Sequence, residues 1–187
     1  MKLNEFLGTE FPFIQGGMAN IATGEFAAAC SNAGALGLIG AGGMTAETLR
    51  SHIHTAKSLT NKPFGVNIML MNPEADAMAQ VVVEEGVPVV TTGAGNPGKY
   101  MAAWKAAGIK VIPVVAAATL AVHLERTGAD AVIAEGTESG GHVGEMTTMA
   151  LVPQVCDAVH IPVIAAGGIA DGRQLAAAYA LGACGVQ

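Results

Sequence analysis

Charge is scarce in this sequence. Asp, Glu, Lys and Arg together make up 13% of the residues, too little for a disordered or self-repelling chain. The nine basic residues are scattered and the net charge is −6, which argues against nucleic acid as a partner. Cysteine is also sparse. Cys30, Cys156 and Cys184 are odd in number and far apart, with neither metal-ligand spacing nor a disulfide framework, so a reducing, cytoplasmic setting is expected and no metal site. No apolar run reaches the roughly 18 residues of a membrane span. The opening residues, Met1 to Glu10, mix charge and polarity without the apolar segment of a secretory signal. What the chain has instead is apolar residues, 51% of it, and 25 glycines. That combination suggests elements buried on both faces and joined by tight turns. One domain over residues 1–187 is the default for this length.

Short apolar runs alternate with longer helical patterns. The first run, Phe11–Gln15, ends in Gly16-Gly17-Met18 and leads to a helical segment over about Ile21–Ala33. The second, Ala35–Ile39, ends in Gly40-Ala41-Gly42-Gly43. Thr45 then offers an N-cap, with Thr48 where an acid would complete a capping box, for a helix reaching about Leu59. Phe64–Leu70 reads as the third strand, and Asn72-Pro73-Glu74 as a helix start with proline at its first position. The runs beginning at Val87, Ile109 and Asp130 are then spaced 22 and 21 residues apart. Helical patterns over Pro97–Ala107 and Ala116–Arg126 lie between them, closed by Gly108 and Gly128. Ile161–Ala166 is the seventh strand, Asp171–Leu181 the next helix, and Ala183–Gln187 an eighth strand just begun. Such alternation requires parallel strands with crossover helices. A doubly wound sheet shares the pattern, but eight strands favour an α/β fold of the TIM type, a (β/α)8 barrel truncated in or just after strand eight. The chain therefore reads as a fragment of a longer protein.

Ligands of such barrels bind where the strands end. The strand ends here carry small or amide-bearing residues: Gly16-Gly17-Met18, Asn67, Thr91-Thr92-Gly93, Glu135, Gly167-Gly168 and Gln187. Singly, each glycine is explained by a turn; together they point to a cofactor cavity. Ala166–Gly172 leaves a strand and opens a helix, so its free amides suit an anion such as phosphate, with an αL turn capped by Asp171 as a compatible alternative. Asn67 is either a satisfied core amide or a ligand contact. Glu135 could meet backbone amides, a cation or a ligand hydroxyl. The glycine-rich stretch Glu135–Thr148 holds one histidine, His142, in a loop rather than on an apolar helix face, which favours a chemical role. His52, His54, His123 and His160 fall in helical or helix-end patterns and read as ordinary, and Glu138 and Glu145 as solvated loop charges.

With these residues in view, the sequence resembles the FMN-dependent enoyl-acyl-carrier-protein reductases of the FabK type, within the nitronate monooxygenase (2-nitropropane dioxygenase-like) superfamily. The resemblance covers nearly the whole chain and is carried by Pro12–Ala19, Lys62–Leu70, Val89–Pro97, Ala131–Gly136, Gly140-Gly141-His142 and Ile161–Gly172. The Gly-Gly-His and Ala-Gly-Gly-Ile motifs are common to the superfamily. The run Thr91–Pro97 and Thr147-Thr148-Met149 resemble the reductase branch more than the nitronate oxidases.

The resemblance implies FMN held against Gly17, Met18 and Asn67, with Glu135 and Gly141 near the ribityl–flavin region. It implies phosphate on Gly167 and Gly168, with Gln187 opening the eighth-strand phosphate segment. His142 matches the active-site histidine. The implied reaction is reduction of a trans-2-enoyl thioester of acyl-carrier protein, with NAD(P)H as co-substrate, in fatty acid biosynthesis. An acidic carrier needs a basic patch near the mouth, for which Lys99 and Arg173 are the candidates. The family's eighth helix and helical lid have no counterpart in these residues. Two rivals are a nitronate monooxygenase, with the histidine as base and oxygen as oxidant, and an inactive flavin-binding fragment. Oligomeric state is left open, a homodimer included.

Overall fold

The structure is a computed structural model that describes residues 2–187. Seven parallel strands form one sheet in sequential order: β1 (Gly37–Gly40), β2 (Phe64–Met69), β3 (Val89–Gly93), β4 (Lys110–Val115), β5 (Val132–Glu135), β6 (Val163–Ala166) and β7 (Gly185–Val186). The sheet closes through the first apolar run, which forms two parallel bridges, Phe13 to Val186 and Ile14 to Leu36. The expected first strand, Phe11–Gln15, is thus reduced to a clasp. Pro12 has no N–H to give, and the segment is held by Ile14 N donating to Val186 O and Leu36 N donating to Phe13 O, both at 2.9 Å. The result is a TIM-type barrel in which that clasp takes the eighth strand position.

Strand alternation sorts the side chains into layers. Leu36, Leu38, Val89, Ile112, Ile133 and Ile164 point inward and pack with Leu3 and Leu7. Ile39, Val66, Ile68, Val90 and Val111 point outward, against the helices. The same outward packing continues on the far side through Val115, Val132, Val163 and Val186. Each fully buried Leu, Ile or Val contributes about 1.5–3 kcal/mol relative to exposure, so this two-sided burial is what holds the sheet closed.

The helices are α1 (Leu3–Leu7), α2 (Gly24–Asn32), α3 (Ala46–Leu59), α4 (Ala75–Glu84), α5 (Gly98–Ala106), α6 (Ala118–Arg126), α7 (Thr148–Ala158) and α8 (Gly172–Ala180). Helix α1 is not visible in the sequence pattern. It plugs the N-terminal end of the barrel, where Leu3 N donates to Cys184 O at 3.0 Å and the Leu3 side chain lies over Gly185. Helix α4 begins at Ala75, two residues beyond the expected first position at Pro73. Asn72 instead ties a turn, its Oδ1 accepting from Glu74 N at 2.8 Å and its Nδ2 donating to Met44 O at 3.1 Å. Thr45 caps α3 by accepting from Thr48 N, and a further free amide of the first turn is satisfied from elsewhere: Glu74 Oε2 accepts from Ala46 N at 2.7 Å. The three cysteines are free. No helix of the described residues is long and apolar enough to cross a membrane.

Candidate active site

The C-terminal strand ends surround a cavity of about 640 Å³, within the roughly 300–1,000 Å³ typical of cofactor and substrate pockets. Gly17, Met18, Asn67, Glu135, Gly141, His142, Gly167, Gly168 and Gln187 all line it. Residues widely separated in sequence meet here because every parallel strand ends on the same rim.

Asn67 is the second interior residue of β2, after Gly65, and is level with Gly40 on β1 and Thr91 on β3. Its half-buried carboxamide opens onto the cavity. Gly17 lies directly on it: a Cβ added at Gly17 would stand 2.6 Å from Asn67 Nδ2. Glycine is therefore required at position 17 by proximity rather than by backbone conformation. Gln187 also lines the cavity, and its Oε1 is buried with no hydrogen-bond partner among the described residues. Such an acceptor is unfavourable unless something entering the cavity donates to it.

Glu135 ends β5 and stands level with Ala166 on β6. Burial raises its carboxyl above the ordinary glutamate value, while the nearby Ser139 hydroxyl pulls the other way. Ser139 Oγ has no partner at hydrogen-bond geometry, so the opposition is weak. The loop beyond Glu135 is pinned at its neck and open at its tip. Thr137 N donates to Met146 O at 2.9 Å, and Ser139 N to Gly136 O at 3.1 Å. At the tip Gly140, Gly141 and His142 are exposed, with Gly141 in the left-handed region at φ 83°. The His142 ring bonds no other group of the described residues, so both of its nitrogens remain available to a ligand.

Glu138 is exposed, as expected of a solvated loop charge, but it is also tied to the helix that follows. It accepts from both the backbone N and Oγ1 of Thr148 at 2.8 Å, and these bonds hold its carboxyl below the ordinary range. Thr148 itself was not singled out as a site residue. Its Oγ1 also lies 3.0 Å from Gly167 O, and Gly136 and Gly167 pack so closely on it that neither could carry a side chain. One threonine thus couples the histidine loop to the Gly167-Gly168 turn. Its sequence signals were its place at the end of the glycine-rich stretch Glu135–Thr148 and in the Thr147-Thr148-Met149 run.

That turn offers fewer free amides than its sequence suggests. Gly167 and Gly168 are left-handed, at φ 104° and 72°. Asp171 accepts from Arg173 N at 2.9 Å, and Gln174 Oε1 accepts from Ala170 N and Asp171 N at 2.7 and 2.9 Å. The start of α8 is therefore capped by its own side chains. The amides of Gly168 and Ile169 remain unengaged among the described residues, and it is these that an anion could use. Arg173 pairs with Asp171 at 2.6 Å and Lys99 with Asp76 at 2.6 Å, so neither is a free cation. The other histidines make structural contacts: His52 Nδ1 accepts from Gly24 N, His54 meets Glu85, His123 meets Asn96, and His160 N donates to Glu125. Ala94, on the cavity wall, has φ 53°, a strained value for a residue with a side chain.

Three comparisons bear on what such a site does. FabK from Thermotoga maritima, a solved structure, is 58% identical with a TM-score of 0.97, over 99% of this chain and 60% of that one. A nitroalkane oxidase structure from Streptomyces ansochromogenes is 32% identical with a TM-score of 0.91, over 99% of this chain and 66% of that one. Among curated proteins, (3aS,4S,5R,7aS)-5-hydroxy-7a-methyl-1-oxo-octahydro-1H-indene-4-carboxyl-CoA dehydrogenase of Rhodococcus jostii (strain RHA1) is 45% identical over 184 residues, which is 98% of this chain. The chain spans only 52% of that relative's length. The sequence profile described as nitronate monooxygenase matches residues 1–187, and by that match the chain belongs to the nitronate monooxygenase family.

Proposed function

We propose that this chain is the flavin-binding barrel of an FMN-dependent oxidoreductase that reduces a trans-2-enoyl thioester of acyl-carrier protein with NAD(P)H. The observation that carries the reading is the single cavity in which an unengaged imidazole, His142, shares the wall with Asn67, Glu135, Gln187 and the Gly167-Gly168 turn. The 58% identity to FabK supports it, as does the coenzyme A thioester in the name of the Rhodococcus relative.

The residues present fit FMN. Asn67 Nδ2 can donate to a ring oxygen or nitrogen, and the buried Gln187 Oε1 needs a donor such as a ring N–H or ribityl hydroxyl. Glu135 can accept from ribityl hydroxyls, and the Gly168 and Ile169 amides can hold phosphate. When bound, FMN relays hydride between the nicotinamide and the β-carbon of the enoyl group. As the β-carbon gains hydride, negative charge builds on the thioester oxygen, and a proton from solvent added at the α-carbon then discharges it and completes the saturated thioester. His142 donates a hydrogen bond to that oxygen, a stabilisation that grows toward the transition state. Gly140 and Gly141 leave space beside the ring for the substrate to approach. Lys99 and Arg173 lie in exposed ion pairs with Asp76 and Asp171, so the proposed recognition of the carrier rests on its thioester arm.

Oxidation of a nitronate is the second reading, favoured by the 32% identity to nitroalkane oxidase. The test compares NADH-dependent crotonyl-thioester reduction with oxygen uptake on a nitronate, in the wild type and His142→Ala. Enoyl reduction is expected in the wild type, and a loss of about 10²–10³-fold in His142→Ala with FMN retained. Oxygen uptake without enoyl reduction would select the nitronate reading. A yellow protein without either activity would leave only flavin binding, and a colourless one would reject the reading of the cavity.

A further inference from the structure

Two adjacent residues of β3, Thr91 and Thr92, are buried and their hydroxyls have no hydrogen-bond partner. Alternation separates them. Thr91 faces inward with Val89, which belongs to the barrel interior, and Thr92 faces outward with Val90, which packs against the helices. An unpaired buried hydroxyl is costly, and valine would fill either strand position with the same shape and a better strand propensity. Thr92 has no route to the cavity. Thr91 does, because its partner in the β2–β3 register is Asn67. Neighbouring strands run about 4.8 Å apart, so the Thr91 hydroxyl and the Asn67 carboxamide occupy one layer of the interior.

Asn67 Nδ2 is turned toward Gly17 and the cavity, which leaves Oδ1 as the atom for an interior donor. An unassisted carboxamide can present either end to a ligand, since the two are nearly the same shape. We propose that Thr91 is a positioning residue: its hydroxyl donates to Asn67 Oδ1 when a ligand engages the amide, fixing Nδ2 as the donor at the cavity wall. That bond also polarises the amide and strengthens the Nδ2 donor. The inference rests on the cavity being an FMN site, and it assigns the control of one wall contact to a residue that does not itself line the cavity.

The experiment is FMN titration by flavin fluorescence and absorption, with thermal melts of the FMN-free protein. The proteins are the wild type, Thr91→Val, Thr91→Ser, Thr92→Val, Asn67→Ala and the Asn67→Ala/Thr91→Val pair. Thr91→Val is expected to weaken FMN binding about five-fold and shift the bound flavin's absorption band, while the FMN-free melt stays level or rises. Thr91→Ser should restore both, Thr92→Val should leave binding unchanged, and Thr91→Val should add nothing in the Asn67→Ala background. Equal binding by Thr91→Val and wild type overturns the proposal. So does a lowered FMN-free melt matching the binding loss, or additive losses in the double variant. A wild type that takes up no FMN overturns the reading of the cavity and this inference together, and that result is read from the wild type alone.

Discussion

Replacing Gly17 by alanine tests the contact on which the cavity floor depends. The new methyl would stand 2.4 Å from Asn67 Cβ, 2.6 Å from Nδ2 and 2.7 Å from Cγ. Rotating Asn67 relieves the last two but not the first, because Cβ is fixed to the backbone of β2, a strand paired on both sides. The Gly16–Met18 turn must therefore move. Its far side is also confined: Gly40 packs against Met18 O so closely that a Cβ there would stand 2.6 Å away. Overpacking of this kind costs about 1–3 kcal/mol. Loss of glycine's freedom in the unfolded chain returns about 0.4–1 kcal/mol. The net loss of about 1–2 kcal/mol predicts a melt lowered by about 2–8 °C for a chain this long. Displacement of the Asn67 amide should also weaken FMN binding about three- to ten-fold, the worth of one hydrogen bond. Thermal melts and FMN titration measure the two effects. Gly16→Ala serves as the stability control, since its methyl meets nothing within 4 Å and its melt should match or exceed the wild type. If Gly17→Ala melted and bound FMN like the wild type, the close packing of Gly17 on Asn67 would have no bearing on the site.

Two further predictions concern pH. Glu135 is raised by burial, so the fold favours its protonated form; its contribution is fully present below the ordinary glutamate value of 4.5 and is lost as pH rises through the raised one. Glu135→Gln should therefore gain stability over the wild type at pH 8, with the gap closing toward pH 4, in melts across that range. Glu85 is the opposite case: hydrogen bonds from Lys57, Arg50 and His54 outweigh burial and hold it at about 2. Its contribution is present above 4.5 and lost as pH falls toward 2, so Glu85→Gln should lose roughly 1 kcal/mol at pH 7, less at high salt, and show a flatter acid limb.

The barrel was legible because parallel strands buried on both faces read as short apolar runs, and because glycines mark where helices stop and strands begin. What escaped were features decided across space. Helix α1 is five residues long, too short to show a period, and exists because Leu3 and Leu7 fill the barrel floor. The first strand shrank to a clasp because its pairing depends on residues at both ends of the sheet. At the site, the glycines and His142 stood out through composition and position along the chain. Thr148 stood out only within the Thr147-Thr148-Met149 run, since its structural meaning lies in Glu138 and Gly167, ten and nineteen residues away. Asp171 shows the reverse: its capping was foreseen as compatible with phosphate binding, yet with Gln174 it occupies amides that an anion would have used.

The charge on the cavity wall bears on the choice of substrate. Among the described residues the wall includes Glu135 and His142 but no lysine or arginine, and Lys99 and Arg173 pair with Asp76 and Asp171. A nitronate is an anion before it reacts. In this cavity it would approach a carboxylate with one imidazole to offset its charge, and it would lose its hydration on entry. A neutral enoyl thioester pays no such penalty when it binds. Its negative charge arises only as hydride arrives, at a single oxygen, where one oriented donor is enough to lower the barrier. The barrel is shared by relatives with different reactions, at TM-scores of 0.91 and 0.97, so the fold does not discriminate between them. Under the proposed reading, the few cations on this wall suit a substrate that is neutral until the transition state.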